Sequence, residues 1–479
     1  MQKKFILNLI LIIAVNLLIK PLYIFGVEIN VQNTIGSIDY GMYYALFNLS
    51  YILSFILDPG ITNFNNRHIA QNQHLLDKSF SNIIITKILL SIIFITSILL
   101  YGFISSLTLI EWQIISLLIF GQIFNSFTLY NRSNIAGLHL FKTDTIVSIA
   151  DKLFMILFCA PYFIIDGLRE NMNVYTFVLF QTISFGITAI TSFFIVKHRT
   201  VQFQLKFNLN KIIIILKESF PYALLTLLML VYSKVDTVLL KELNVKGNEE
   251  VGSYAAAYRI IDAMNMIAVL FAGLLYPLFS KSIKEKVDVS KLVNTSFSIL
   301  VLPSIIAATL LYIHSDNIMN LLYHENTEYS SALFRNLLIS FIFICNSYIF
   351  GTYLTAKGEI KTLNRIALLA TIINICLNVI FIPNLGASAS CVIAIITFGL
   401  VTILQSIITI RSLKINIGIS KFLSFILWLV VIVAINTQLK NYLQNWVFAL
   451  AFGATISIIF LFIVRLVSVK QVLKLVKSK

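Results

Sequence analysis

NICLNVIFIPNLGASAS, residues 374–390, decides the fold, because it fixes how many times the chain turns in its last third. Asn374 and Asn378 stand at i and i+4, so a helix carries both amides on one face. Ile382-Pro383 then breaks the apolar run, and Pro383 with Gly386 permits a tight turn. Ala387, Ser388, Ala389 and Ser390 open the next apolar run with residues small enough for close helix approach. The stretch predicts a compact helical hairpin, two spans rather than one. The amides have a structural use there, as interhelical hydrogen bonds worth about 1 kcal/mol.

Composition sets the solvent. Of 479 residues, 58% are hydrophobic and 12% charged, with mean hydropathy +0.89. Soluble domains carry about a quarter charged residues, so this chain is an all-α integral membrane protein. Cys159, Cys345, Cys376 and Cys391 all lie in apolar runs without CxxC or Cys/His spacing. They read as packing residues, and neither a disulfide framework nor a metal site is expected. His68 and His74, in a loop, show no metal spacing either. The opening MQKKFILNLILIIAVNLLI lacks a small-residue cleavage site and reads as an uncleaved first helix.

Apolar runs of roughly 20 residues, enough to cross ~30 Å of hydrocarbon, number about fourteen. They lie near 5–25, 38–58, 82–104, 111–131, 146–166, 174–196, 212–240, 253–279, 292–314, 332–355, 366–382, 387–410, 420–437 and 446–467. Pro221 predicts a kink or an amphipathic lead-in to the seventh, after Lys217-Glu218 at its cytoplasmic entry. With the N-terminus inside, cytoplasmic segments hold 25 Lys and Arg residues and the opposite side holds Arg169, Lys241, Lys246, Arg335 and Lys440. That bias places both termini in the cytoplasm and accounts for the net charge of +15 without a nucleic-acid partner. The gaps are too short to bury a core of their own, so soluble catalytic chemistry has nowhere to live.

An internal repeat runs through these spans. Asp39-Tyr-Gly41-Met-Tyr43-Tyr-Ala45 opens the second, and Glu250-Val-Gly252-Ser-Tyr254-Ala-Ala256 opens the eighth, 211 residues later. Asn125-Ser126 with Lys142-Thr143 is matched by Asn346-Ser347 with Lys361-Thr362, in the same order. Two parallel six-helix repeats plus two C-terminal helices follow. The lobes are residues 1–200 and 201–415, with 416–479 adding two helices and a basic cytoplasmic tail. Such repeats mark alternating-access transporters, with substrate held between the halves near mid-depth.

The AKGEIKTLN loop, the NxxxN helix, the IPxxG turn and its small-residue restart together resemble the polysaccharide flippases. These are the Wzx-type members of the multidrug/oligosaccharidyl-lipid/polysaccharide (MOP) exporter superfamily, MATE-like in plan. YGMYYALFNLSYILSFILDPG followed by NNRHIA, and SFPYALLTLLMLVYSKVDTVLL, fit the same pattern. The resemblance implies a transporter that flips undecaprenyl-diphosphate-linked oligosaccharides across the bacterial inner membrane, for O-antigen, capsule or exopolysaccharide. It brings polyprenyl-linked sugar, membrane lipid and other polysaccharide assembly proteins as partners and no cofactor. A proton or sodium gradient is the candidate energy source.

A diphosphate held away from water calls for cations in a cavity, which the resemblance also implies. Lys20, in the outer part of the first span, Lys234, in the outer part of the seventh, and Arg259 in the eighth are the candidate substrate contacts. Against them stand snorkelling of the two lysines to the interface and a local pair between Arg259 and Asp262. Asp236, Asp262 and Lys152, near the inner end of the fifth span beside Asp151, are candidate charge partners. Asn374 and Asn378 are candidate contacts for sugar hydroxyls. His314, at the outer end of the ninth span, reads as an interface residue rather than a proton relay.

Three other functions are weighed. A peptidoglycan lipid precursor flippase is expected to carry several arginines in its first two spans, where this chain has none. A cation-coupled drug exporter is expected to have a buried carboxylate in its first helix, and residues 5–25 contain none. A membrane glycosyltransferase or polymerase needs an extramembrane loop or an acid/base cluster, and neither is visible, so no enzyme activity is expected.

Overall fold

The computed structural model describes residues 14–62, 65, 69, 76–165, 167–200, 209–415, 418–464 and 466. The N-terminal lysines, Arg67, His68, His74 and nearly all of the basic tail lie outside the described residues. Thirteen described helices are long and apolar enough to cross a membrane. In chain order they are α1 Ala14–Ile35, α2 Ser37–Leu57, α3 Phe80–Ile104, α4 Leu109–Gly137, α5 Phe141–Ile164, α6 Val174–Lys197 and α7 Ala223–Leu243. There follow α8 Gly247–Lys284, α9 Ser290–Ile313, α10 Thr327–Lys357, the helix Ile360–Leu413, then α13 Leu423–Tyr442 and α14 Trp446–Ile463.

Ile360–Leu413 is two spans. Its 54 residues would reach about 81 Å, against ~30 Å of hydrocarbon. Gly386 leaves the helical region at φ 55° and ψ −139°. Across that break Asn374 Nδ2 donates to Thr397 Oγ1 at 3.3 Å, and Ser390 Oγ donates to Asn378 Oδ1 at 3.2 Å. On a straight helix Asn374 and Thr397 would stand about 34 Å apart. The arms, 360–385 and 387–413, are α11 and α12, and the spans among the described residues number fourteen. The position of the break corrects the expectation. Helical dihedrals continue through Pro383, because a proline near a helix end costs only its own missing N–H bond and a clash one turn back. The conformation at Gly386 is one that side chains resist.

The first span also differs from its expected bounds of 5–25. It runs to Ile35 through a π-helical turn at Ile24–Glu28. Glu28, Asn30, Gln32 and Asn33 end the apolar run in sequence, yet Glu28 is 4% and Gln32 5% exposed. Protein neighbours, not lipid, surround them, so polarity does not end the helix.

Two compact units make up the chain: Met1–Ala255 with Val379–Gly386, and Ala256–Asn378 with Ala387–Lys479. The lobes 1–200 and 201–415 describe the repeat, whereas compactness divides the chain inside α8. The first unit is joined by buried polar side chains between helices. Gln181 Nε2 donates to Tyr43 Oη at 3.0 Å, Asn65 Nδ2 to Ser133 Oγ at 2.7 Å, and Asn131 Nδ2 to Ser192 Oγ at 3.0 Å. Phe80 stacks on Tyr130 at 5.8 Å within an apolar cluster that includes Ile61, Ile69 and Val147. A capping box, Thr108 with Glu111, starts α4. In the second unit Thr402 Oγ1 donates to Phe343 O at 2.8 Å, Ser347 Oγ to Gln405 Oε1 at 3.0 Å, and Asn436 Nδ2 to Ser457 Oγ at 3.0 Å. Amides and hydroxyls do this work because lipid gives apolar faces little reason to prefer each other.

His314 is buried at 1% exposure between α9 and the short helix Ser315–Leu322, rather than set at an interface with lipid. Its ring lies 6.4 Å from Trp446. Burial, and then the charge of Lys440, hold its pKa below the usual 6.5, so the imidazole is neutral at pH 7. A histidine depressed on folding stabilises fully above its unfolded pKa and loses that contribution as pH falls through the folded value. Thermal stability of the purified protein is therefore expected to fall below pH ~6.5. His314→Asn is expected to flatten that dependence, and an unchanged slope in a pH series of melting curves would remove His314 from the account.

Candidate functional site

An ionisable side chain within a membrane needs a partner or a cavity. Lys87, inside α3, has partners and was not marked in sequence, although TKILL sets it plainly within the third apolar run. It is 1% exposed, and its Nζ donates to Asp58 Oδ2 at 3.1 Å, Leu57 O at 3.2 Å and Ser126 Oγ at 2.7 Å. Those three bonds use all the donors of an ammonium. Lys87 is therefore a fastener joining α2, α3 and α4. Ser126 and Ser347, paired by the repeat, each anchor an interhelical bond of this kind.

A second group of charges, also in the first unit, is more open. Asn16 Nδ2 donates to Ser148 Oγ at 3.2 Å and holds α1 against α5. One turn further along α1, half-buried Lys20 lies within electrostatic reach of Lys152, Asp151 and Arg132. Lys152 Nζ stands 3.2 Å from Asp151, 4.6 Å from the Tyr23 ring centre and 5.5 Å from that of Phe185. Arg132 forks onto Asp144 at 2.7 and 3.2 Å. Three cations lie with two carboxylates beside the buried rings of Tyr23 and Phe185, leaving one positive charge in excess. Oxyanions are the ligands such a group of charges suits.

Two expected depths change. Lys20 lies fifteen residues, about 22 Å, before the end of α1 at Ile35, so it is not in the outer part of its span. Lys152 falls near the middle of α5, eleven residues from Phe141, rather than near the inner end. Both shifts follow from span ends that sequence placed by polarity alone.

The remaining candidates sit elsewhere. Lys234 is half-buried in α7, and Asp236, 2% exposed, accepts from Tyr254 Oη at 3.5 Å. Arg259, 8% exposed, and half-buried Asp262 belong to the part of α8 in the second unit. The first unit thus groups Lys20 with Lys152 and also holds Lys234, while Arg259 lies in the second. Asn374 and Asn378 are both fully buried, and Asn378 Nδ2 donates to Asn374 O at 2.9 Å and Oδ1 at 3.1 Å. Their amides are engaged within the hairpin. Glu28 is the further residue that sequence missed, for the same reason that it misplaced the end of α1.

Residues 5–283 match the family described as "Polysaccharide biosynthesis protein", and residues 221–380 match MatE. No curated protein matches the chain in sequence. Among solved structures the fold is similar to "Lipid II flippase MurJ, inward closed conformation" at TM-score 0.73 and 16% identity, over 95% of this chain and 98% of that one. It is also similar to an inward-facing multidrug resistance MATE family transporter of the MOP superfamily, at TM-score 0.65 and 14% identity, over 82% and 95%. A MOP superfamily transporter from Pyrococcus furiosus, described as having a reversed binding-pocket polarity, matches at TM-score 0.60 and 15% identity, over 86% and 97%. At these identities the likeness is one of fold.

Proposed function

The chain belongs to the polysaccharide biosynthesis protein family of the MOP superfamily, and from that premise we propose that it flips polyprenyl-diphosphate-linked oligosaccharides by alternating access. The membrane is the bacterial inner membrane, both termini are cytoplasmic, and the product feeds O-antigen, capsule or exopolysaccharide assembly. The observation that carries this reading is the Lys20–Lys152–Arg132 group beside Tyr23 and Phe185. The cations neutralise the diphosphate, and the polyprenyl tail stays in lipid. The absence of arginine from Ala14–Ile35 and Ser37–Leu57 favours this cargo over a peptidoglycan precursor.

Alanine at Lys20 or Lys152 removes a charge-assisted contact worth ~1.5–3 kcal/mol, so flux is expected to fall about ten- to a hundredfold. The readout is surface polysaccharide in a strain lacking its own flippase, at equal membrane abundance, with lipid-linked units accumulating inside. Lys234→Ala and Arg259→Ala are assayed beside them. Full export by the Lys20 and Lys152 variants would sink the cationic-site assignment.

A second reading is favoured by Glu28. The first span does contain a buried carboxylate, so the ground on which sequence set aside a cation-coupled exporter is withdrawn. Resistance of the same strains to organic cations separates the two cargoes.

A further inference from the structure

AKGEIKTLNR, residues 356–365, joins α10 to α11, and the flipping site makes no use of it. Its counterpart in the first repeat is the turn between α4 and α5. The offset of 219 residues that relates Lys142 to Lys361 also relates His139 to Gly358. Both of the latter hold left-handed backbone, at φ 60° and 86°, so the two turns can be compared position by position. At the same offset Asp144 becomes Leu363, and Ile146, 65% exposed, becomes Arg365. The first copy forks Arg132 onto Asp144. The second lacks that carboxylate and sets a cation where the first shows an exposed isoleucine.

α11 and α12 run antiparallel, tied at Asn374–Thr397 and Asn378–Ser390, so α11 starts where α12 ends. The charge bias assigns that end of the hairpin to the cytoplasm. It carries Lys361, Arg365, Arg411 and Lys414, all exposed and none in an ion pair among the described residues. Glu359, the carboxylate of the loop, is engaged, with Lys357 Nζ 3.4 Å away and Thr362 Oγ1 donating to it at 3.0 Å. Lys357 Nζ also donates to Ser412 Oγ at 3.0 Å, which ties the end of α10 to that of α12. Lys414 closes α12 in left-handed backbone at φ 50°, a position that glycine fills more easily. Each arm continues from its cations in apolar residues. Arg365 shares a helix face with Leu368, Leu369 and Ile372, and Arg411 shares one with Ile407 and Ile403, all of them exposed.

We propose that this end of the α11–α12 hairpin binds anionic phospholipid of the cytoplasmic leaflet, with headgroup phosphate on the four cations and acyl chains along the exposed leucines and isoleucines. Lysine and arginine stems let the charged heads rise to headgroup level, where they bond phosphate oxygens with charge assistance. Phospholipid is the occupant because both of its parts are matched, phosphate by cations at the interface and chains by the apolar faces below them. A free phosphate is matched by the cations alone. The site lies wholly in the second compact unit and does not depend on the nature of the cargo.

The test is lipid binding to the purified full chain in neutral detergent, titrated to an apparent Kd by the rise in melting midpoint. The probes are dioleoyl phosphatidylglycerol, dioleoyl phosphatidylcholine, glycerol 3-phosphate and undecaprenyl diphosphate. Phosphatidylglycerol is expected to bind, and phosphatidylcholine and glycerol 3-phosphate to bind far more weakly. Lys361→Gln with Arg365→Gln is expected to weaken phosphatidylglycerol binding about thirtyfold, at about fivefold per cation. Lys281→Gln with Lys284→Gln, at the end of α8 beside Glu285 and Asp288, removes the same charge and is expected to leave the affinity unchanged. Lys414→Gly separates folding from binding. Glycine suits φ 50°, so the melting midpoint without lipid is expected to hold or rise while the affinity falls about fivefold. Wild-type affinity in the Lys361 and Arg365 double variant overturns the site. An equal loss in the Lys281 and Lys284 variant also overturns it, by reducing the effect to bulk charge. Undecaprenyl diphosphate binding through the same residues more tightly than phosphatidylglycerol overturns the choice of phospholipid and gives the surface to cargo.

Discussion

Asp58→Ala is expected to destabilise the protein by about 3–5 kcal/mol, because it strands a cation that is 1% exposed. Lys87 then keeps only Leu57 O and Ser126 Oγ, two neutral acceptors that cannot balance its charge. The same substitution removes the acceptor for Thr62 N–H, bonded to Asp58 Oδ1 at 3.0 Å. Lys87→Met is expected to cost less. It leaves a carboxylate that is 17% exposed and within reach of water, and methionine fills the space of the lysine stem. The double variant Lys87→Met with Asp58→Asn is expected to recover much of the loss, since Asn keeps the bond to Thr62 and no charge remains. Melting midpoints of wild type and these three variants in detergent, with membrane abundance as a control, make the comparison. A double variant no more stable than Asp58→Ala would show that the pair is not what holds α2, α3 and α4 together.

These charges show what sequence can and cannot make legible. The fourteen spans were legible because a hairpin in lipid needs two apolar runs and a turn, and residues 374–390 spell both. The end of α1 was not, because a count of apolar residues treats Glu28 and Gln32 as solvent-facing when other helices cover them. Lys87 was visible as a letter, but its role depends on Asp58, 29 residues earlier, and on Ser126, 39 residues later. Lys20 was singled out for its charge. Its neighbours Lys152 and Arg132 follow from α1 lying beside α4 and α5, and no local pattern encodes which helices adjoin. The repeat was legible as spacing.

Gly386→Val is expected to cost about 2–4 kcal/mol, while Pro383→Ala, three residues away, is expected to be neutral or slightly stabilising. The difference inverts the order that sequence suggests. Pro383 sits within α11 in helical conformation, where alanine is the better helix former. Gly386 holds φ 55° and ψ −139°, where a β-branched residue is strained whatever surrounds it. A Cβ there would also have to displace the Glu250 carboxylate, and Asn244 Nδ2 donates to Ile382 O at 3.2 Å beside it. The strain cannot be relieved by opening the turn, because Asn374–Thr397 and Asn378–Ser390 tie the arms on either side. A valine must therefore either bear the dihedral or break those bonds, and both outcomes lower the melting temperature. Should Pro383→Ala prove the more damaging of the two, the break would belong to the proline and the amides would not be what closes the hairpin.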